Sequence, residues 1–237
     1  MTTVADDPTL DDYAGDKLWV AWQTEERGGN LTKVPYSPHG GAGRVNDPST
    51  WGTRAEARRA ARALRKGGIG IVLGADSKEG LGGIDLDTCL DSRGQPEAWA
   101  VEVVDRFASY TEVSPSGKGL KTFFRYGAAD RPKLASLMQG KHSLMFKRNT
   151  GEDHPPAIEL HLSNRYFTVT GDRTDGSPEG LRLVDTEDLV WLATVAGPAF
   201  TGPKARAGKP AGPKEKERDR SRSAIAQALC HAIAPRR

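Results

Sequence analysis

Hydrophobic and polar positions alternate with a period of two along several short segments of the chain. Such alternation is typical of strands that bury one face. Residues 17–23 and 32–37 are also predicted strands, and the turn sequence ERGGN between them indicates that they pair. Further strands are predicted over residues 68–74, 82–87, 110–114, 120–126, 157–162 and 165–171, with the last two forming another pair.

A helical period of apolar residues marks three other segments. Thr53 and Glu56 have capping-box spacing at the start of the first helix, which residues 67–68, both Gly, are expected to end. A second helix is predicted to start at Pro96, and a third covers residues 186–196. Strands mixed with helices in this order predict a single α/β catalytic domain with a mixed sheet over residues 15–197.

The two ends of the chain differ from this body. Residues 1–14 are expected to be disordered, residues 198–220 to form a flexible basic linker, and residues 221–237 to form a short helix that starts a truncated helical module. Residues 201–237 hold ten Lys or Arg and three Asp or Glu, which leaves 24 basic and 28 acidic residues, a net of −4, for residues 1–200. The tail is either a solvated tether or a nucleic-acid-binding arm, and any basic surface of the body must be local.

Composition also bounds the setting of the protein. No apolar run is long enough for a transmembrane helix, and the acidic N-terminal segment does not have the pattern of a secretory signal. Two cysteines far apart in the sequence favour a reducing, cytoplasmic location and argue against a cysteine-rich zinc site.

The segment GGIDLD places two carboxylates on one face of a predicted strand. Asp85 and Asp87 share that face, whereas Ile84 and Leu86 occupy the other and fix the strand to a core. Two such carboxylates about 6 Å apart repel by roughly 3 kcal/mol at an effective dielectric constant near 20. The acidic face is therefore expected to meet water, a basic partner or a divalent cation such as Mg²⁺ or Mn²⁺.

A third acid lies in a strand of the same design. In AIELHL, Glu159 and His161 share the face opposite the apolar residues. If this strand neighbours the first, Glu159 completes a three-carboxylate cluster with Asp85 and Asp87. Such a cluster suits two-metal phosphoryl or nucleotidyl transfer better than zinc chemistry. His161 is either a partly exposed strand histidine or an additional site residue.

The loop SPSGKGLK, residues 114–121, is a third candidate for ligand binding. Its glycines permit a close backbone approach to a ligand, and its hydroxyls and ammonium groups can bind an anion. A flexible hairpin loop is the alternative, because the spacing is not that of a Walker P-loop.

In order from Trp19 to Gly171, the segments WVAWQ, TKVPYSPHG, NDPSTWGT, GIGIVLG, GGIDLD, YTEVSPSGKGLK and IELHLSNRYFTVTG closely resemble primase-polymerase domains. These domains occur in phage and plasmid replication proteins and belong to the archaeo-eukaryotic primase superfamily. The resemblance implies that fold and a DNA primase or polymerase that uses two Mg²⁺ or Mn²⁺ ions. It also implies a single-stranded DNA template, nucleoside triphosphates, a helicase acting in trans and no membrane.

The same resemblance assigns residues to roles. Asp85, Asp87 and Glu159 match the metal-binding acids. The residues expected to bind the nucleotide are Ser114, Ser116, Gly117, Lys118, Gly119, Lys121, Arg165 and Lys33. The family usually has a histidine where this chain has Lys121, which keeps a positive charge but does not titrate near neutrality. This difference leaves open a non-catalytic nucleotide- or DNA-binding relative. The same carboxylates would also serve a metal-dependent nuclease, and a third alternative is a truncated replication protein with no independent role.

Overall fold

The computed structural model describes residues 7–74 and 79–201. Its strands are β1 (Trp19–Arg27), β2 (Asn30–Tyr36), β3 (Gly67–Val72), β4 (Glu79–Asp87), β5 (Thr111–Val113), β6 (Leu120–Gly127), β7 (Ser143–Lys147), β8 (Ala157–His161), β9 (Tyr166–Val169) and β10 (Leu183–Val184). Its α-helices are α1 (Arg54–Ala61), α2 (Ala98–Phe107), α3 (Arg131–Leu137), α4 (Thr186–Trp191) and α5 (Gly197–Thr201). The expected mixture of helices and strands is confirmed.

The strands form two sheets rather than the single sheet that the sequence predicts. A four-stranded sheet has the order β2-β1-β3-β9, with every pair antiparallel. A six-stranded sheet has the order β10-β6-β4-β8-β7, and β5 also pairs with β6. Only β10 runs parallel to its neighbour among the described strand pairs. The predicted pair of strands at 157–162 and 165–171 is wrong, because β8 joins the six-stranded sheet and β9 joins the other.

Two of the apolar clusters among the described residues pack against the six-stranded sheet. One core lies between the sheets and includes Ile71, Phe123 and Phe167. The other lies against the far face of the six-stranded sheet, where Ile84 and Leu86 pack with residues of α2, α3 and α4. The six-stranded sheet is therefore covered on both faces, and its polar residues on the inner face are drawn into the space between the sheets.

Helix α1 begins as the sequence predicts and ends earlier. Thr53 and Glu56 form the capping box, with the carboxylate of Glu56 accepting from the backbone nitrogen of Thr53 at 2.8 Å. The helix ends at Ala61, and Lys66 adopts a left-handed conformation with φ of 49°. Gly67 is already the first residue of β3, so the two glycines do not end the helix.

The chain ends differ from their predicted states where the structure describes them. Residues 7–14 were expected to be disordered, but Thr9 pairs with Gly180 and Leu10 is buried. The domain also extends beyond residue 197 through α5. From residue 202 onward, the predicted linker and the terminal helix of residues 221–237 lie outside the described residues.

Candidate active site

A straight row of side chains crosses the inner face of the six-stranded sheet. The strand register places Asp85 of β4 opposite Lys121 of β6 on one side and opposite Glu159 of β8 on the other. The row continues at each end, to Glu112 of β5 and to Met145 of β7. The expectation that Asp85 and Glu159 lie on neighbouring strands is therefore confirmed.

The alternation of β4 is as predicted, but its acidic face is not open to water. Ile84 and Leu86 are fully buried on the outer side, and Asp85 retains only 8% of its surface on the inner side. A buried carboxylate needs a positive or hydrogen-bonding partner to offset the loss of hydration. The structure supplies a basic partner, one of the three possibilities that the sequence left open.

Lys121 is that partner. Its ammonium group donates to Asp85 Oδ2, and both side chains are largely buried. The same nitrogen lies 4.5 Å from the ring centroid of Phe167, which reaches across from β9. An aromatic face within about 6 Å adds to the stability of a cation. Lys121 is thus held by Asp85 and by the opposite sheet, and does not point freely towards solvent.

Glu159 has a partner on its own strand, His161, two residues further along β8. Its Oε2 lies 2.9 Å from Nε2 of His161, and both side chains are mostly buried. His161 meets the ring of Phe167 edge-on, with centroids 5.5 Å apart. His161 is therefore buried and not partly exposed, and it orients Glu159, one of the predicted metal-binding acids.

Two features show that positive charge is still deficient around the acids. Oδ1 of Asp85 is buried and has no hydrogen-bond partner among the described residues. Burial, together with the neighbouring charge of Asp85, raises the pKa of Asp87 to about 6. Lys121 and Lys33 act in the opposite direction on that pKa, but do not cancel the effect.

These observations bear on the implied metal ions. Within residues 7–74 and 79–201, no group of three or more His, Cys, Asp or Glu side chains is gathered closely enough to hold a metal ion. The donor chemistry nevertheless fits a hard divalent cation: carboxylate oxygens, one of them buried without a partner, on a single face. Asp85, Asp87 and Glu159 remain the residues that fit such an ion, and their side chains must converge to bind it.

The loop of residues 114–121 is closed by its own backbone. The amide of Ser114 donates to the carbonyl oxygen of Gly119 at 2.8 Å, and Gly117 takes a positive φ of 69°. The hydroxyls of Ser114 and Ser116 lie 2.9 Å apart. Gly119 has no room for a side chain, because a Cβ would lie 2.6 Å from the carbonyl oxygen of Leu86. The loop therefore sits directly against the end of β4, next to Asp87.

The remaining predicted cations lie at the edge of this cluster. Lys33 is exposed as a whole residue. Desolvation of its ammonium group, along with the charge of Lys121, lowers the pKa of Lys33, and the charges of Asp85 and Asp87 oppose that shift. Arg165 is exposed and its charge also acts on Lys33. Lys118 is exposed on the loop. These three residues are exposed, whereas Lys121 is buried and engaged with Asp85.

Three residues of the inner face were not predicted from the sequence. Glu112 is fully buried and sits opposite Lys121, accepting from the backbone amides of Thr170 and Gly171 at 2.8 and 3.0 Å. Its desolvation raises its pKa. Phe167 covers Lys121, and Met145 ends the row with 58% of its surface exposed. The alternation in YTEVS places Glu112 on the same strand face as Ser114, and this pattern could have predicted that Glu112 lies near the site.

Cys89 follows Asp87 at the end of β4 but does not continue the acidic face. Thr88 takes a positive φ of 52°, which turns the chain at the end of β4. Cys89 is consequently fully buried in the core on the outer side of the six-stranded sheet.

Comparison of the sequence with known proteins finds a relative among phage replication enzymes. The chain is 33% identical over 160 residues to the DNA primase-polymerase of Nitratiruptor phage NrS-1. It is a relative of a phage primase-polymerase. The similarity confirms the resemblance that the ordered motifs indicate, and it covers 67% of this chain.

The match covers the relative less completely. The chain spans about a fifth of the length of the phage primase-polymerase, 20%. No protein-family model matches the chain. In the part of the chain that the structure describes, none of the helices is both long and apolar enough to cross a membrane.

Proposed function

We propose that this protein is a DNA-directed nucleotidyltransferase that adds nucleotides on a single-stranded DNA template. The observation that carries the proposal is the row across the six-stranded sheet, where Asp85 and Glu159 are direct neighbours on a face that also holds Asp87. Homology to a phage DNA primase-polymerase supports the choice of reaction. We further expect that any helicase that opens the template acts in trans.

Asp85, Asp87 and Glu159 are the residues that would hold two Mg²⁺ or Mn²⁺ ions. When bound, such ions would make the attacking hydroxyl more acidic and would neutralise negative charge on the triphosphate and on the pyrophosphate that leaves. The protein's own contribution is a largely buried set of carboxylate donors on one face of the sheet. Ile84 and Leu86 anchor β4 in the outer core, so the carboxylates cannot turn away from the space between the sheets.

The cations around the row divide into two groups. Lys121 neutralises Asp85 and is covered by Phe167, so it holds the acid in position. Lys33 and Arg165, together with Ser116 and Lys118 of the 114–121 loop, are exposed and are available to bind the phosphates of an incoming nucleotide. Lys121 joins them only if its ion pair with Asp85 opens.

Primer extension tests the proposal. The full chain is incubated with a primed single-stranded template, deoxy- or ribonucleoside triphosphates, and Mg²⁺ or Mn²⁺. Asp85→Asn and Glu159→Gln are expected to lower the extension rate by about 10²-fold or more, since each removes charge from the reacting centre. The matched controls are Asp105→Asn and Glu102→Gln, which change exposed acids of α2, the helix that packs against the outer core. Lack of incorporation by the wild type with either metal contradicts the proposal.

A non-catalytic nucleotide- or DNA-binding protein is the second candidate. The specific observation in its favour is the buried Lys121–Asp85 ion pair, which already neutralises one of the three acids. This candidate expects nucleotide binding that survives Asp85→Ala, with no product at any metal concentration. Shortened rather than extended primers would point instead to the nuclease alternative.

A further inference from the structure

A groove of about 730 Å³ lies apart from the carboxylate row, between α1 and the segment that follows β9. One wall is the arginine-bearing face of α1, where Arg54, Arg58 and Arg62 recur at four-residue intervals. Positions four apart lie on one side of a helix, so these three side chains line the same wall. The opposite wall includes Arg173.

Two of these arginines lack a local counter-charge. Arg54 is bound to Asp11, and Arg173 is bound to Glu179 at 3.3 Å, so both acids of the lining are already matched. Arg58 and Arg62 are exposed, and neither makes an ion pair with any residue that the structure describes. An unpaired guanidinium that borders a groove can bind a phosphate group through two parallel hydrogen bonds, in bidentate geometry.

The positive charge is local, as the composition of the body requires. Residues 54–66 contain six basic side chains and one acid, Glu56, whose carboxylate is used in the capping box. The rest of the domain must be acidic to give residues 1–200 a net charge of −4. A basic helix on an acidic body directs a polyanion to one face and away from the others.

The floor of the groove is apolar and aromatic. Ile69 and Val169 line it together with Tyr110, whose ring is half-buried. The Tyr110 hydroxyl donates to Glu112 at 2.9 Å, and Glu112 stands directly opposite Lys121 in the strand register. The groove therefore adjoins the end of the row that contains Asp85 and Glu159.

We propose that this groove binds a single strand of nucleic acid, with its phosphodiesters on Arg58 and Arg62 and its bases or sugars on the floor around Tyr110. A basic wall beside an aromatic surface is the combination that binds single strands without sequence preference. The identity of the ligand as nucleic acid rests on the proposed function. The position of the groove would lead such a strand towards the carboxylate row.

Fluorescence anisotropy of a labelled oligo(dT) with the full chain tests the groove. For single strands the salt dependence of binding falls by about 0.7 per phosphate contact that is lost, so Arg58→Ala with Arg62→Ala is expected to lower the slope by ~1.4 and the affinity at low salt by at least about tenfold. The matched control is Lys133→Ala with Lys141→Ala, which removes two exposed charges on and next to α3. The control should keep the slope and affinity of the wild type. An equal effect in both double variants overturns the proposal.

Photo-crosslinking then locates the strand. An oligonucleotide that carries 4-thiothymidine is irradiated with the full chain, and the crosslinked peptides are identified by mass spectrometry. Crosslinks to α1 or to the Tyr110 segment support the groove, and crosslinks confined to residues 202–237 overturn it. Free dTTP is the competitor: displacement of the oligonucleotide from α1 by dTTP at equal phosphate concentration would assign the groove to nucleotides instead of a strand.

The outcomes separate this inference from the proposed function. A chain that binds the oligonucleotide through Arg58 and Arg62 but never extends a primer supports the groove and contradicts the polymerase activity. A chain that extends primers, while the double variant binds with unchanged affinity and slope, contradicts the groove alone.

Discussion

Lys121 and Asp85 are buried side by side, and this pair sets the charge available to a divalent cation. The ammonium occupies Oδ2 of Asp85, while Oδ1 is left without a partner among the described residues. A cation that binds Asp85 must therefore share the carboxylate with Lys121 or displace it. Lys121 is therefore expected to oppose the binding of a divalent cation by Asp85.

Lys121→Met is expected to lower the free energy of unfolding in the absence of metal and to strengthen metal binding. Loss of one member of a buried ion pair costs about 3–5 kcal/mol, because the other charge stays buried and uncompensated. Mn²⁺ can replace the missing charge, so it should raise the melting temperature of the variant more than that of the wild type. Thermal unfolding with and without Mn²⁺ measures both effects.

Lys133→Met is the control, since Lys133 is exposed on α3 and pairs only loosely with Asp130 at 3.9 Å. Its melting temperature and its response to Mn²⁺ should match those of the wild type. A Lys121→Met protein that is as stable as the wild type, and gains no more from Mn²⁺, would show that the ion pair does not oppose metal binding.

The sequence predicted the acids of the site better than their partners. Asp85 and Glu159 were found because local alternation fixes the face on which a side chain lies. Their pairing with Lys121 and His161 depends on the register between strands and on Phe167 from the other sheet, which local patterns do not encode. Lys121 was therefore assigned to phosphate binding, although it contacts Asp85.

At the scale of elements, β4 owes its central position to glycines that let aromatic rings approach it. A Cβ on Gly82 would lie 2.6 Å from the ring of Phe124, and one on Gly83 would overlap the ring of Phe167. The two rings lie on opposite faces of the strand. Gly83 thus leaves the room in which Phe167 covers Lys121 and meets His161.

Gly83→Ala is expected to destabilise the protein by about 1–3 kcal/mol, the usual cost of forcing extra volume into a packed core. The displaced Phe167 ring should also weaken the hold on Lys121. Denaturant unfolding measures the loss of stability. Gly15→Ala is the matched control, because a Cβ there meets nothing within 4 Å, and it should leave the unfolding midpoint unchanged. Equal midpoints for the two variants would contradict the close approach of Phe167.

The sequence predicted most elements but not their grouping. The ERGGN turn located β1 and β2, and the capping box located the start of α1, since each feature depends on contacts within a few residues. It failed for β8 and β9, which are neighbours in sequence but belong to different sheets. The reason is physical: β9 completes the edge of β3, about a hundred residues earlier, and the short link between β8 and β9 has no pattern that distinguishes a hairpin from a crossing.

At the scale of the whole molecule, the two sheets are joined where the candidate site lies. The amide of Gly74 after β3 donates to the carbonyl oxygen of Leu81 on β4 at 2.7 Å. Phe167 of the four-stranded sheet packs edge-on against Phe123 of the six-stranded sheet, with centroids 5.5 Å apart. The same ring contacts Lys121, so packing between the sheets and the charge arrangement of the site depend on one side chain.

Phe167→Ala is accordingly expected to affect stability and the site together. Removal of a buried phenylalanine ring costs about 3–5 kcal/mol, whereas Phe167→Leu, which keeps most of the volume, should cost less than about 1.5 kcal/mol. Both variants lose the aromatic face over Lys121, so both should change the response of the melting temperature to Mn²⁺. Phe146→Ala is the control, because Phe146 packs on the outer core and its loss should lower stability without changing that response. If Phe167→Leu responds to Mn²⁺ as the wild type does, the ring stabilises the junction of the sheets but does not influence the charges of the row.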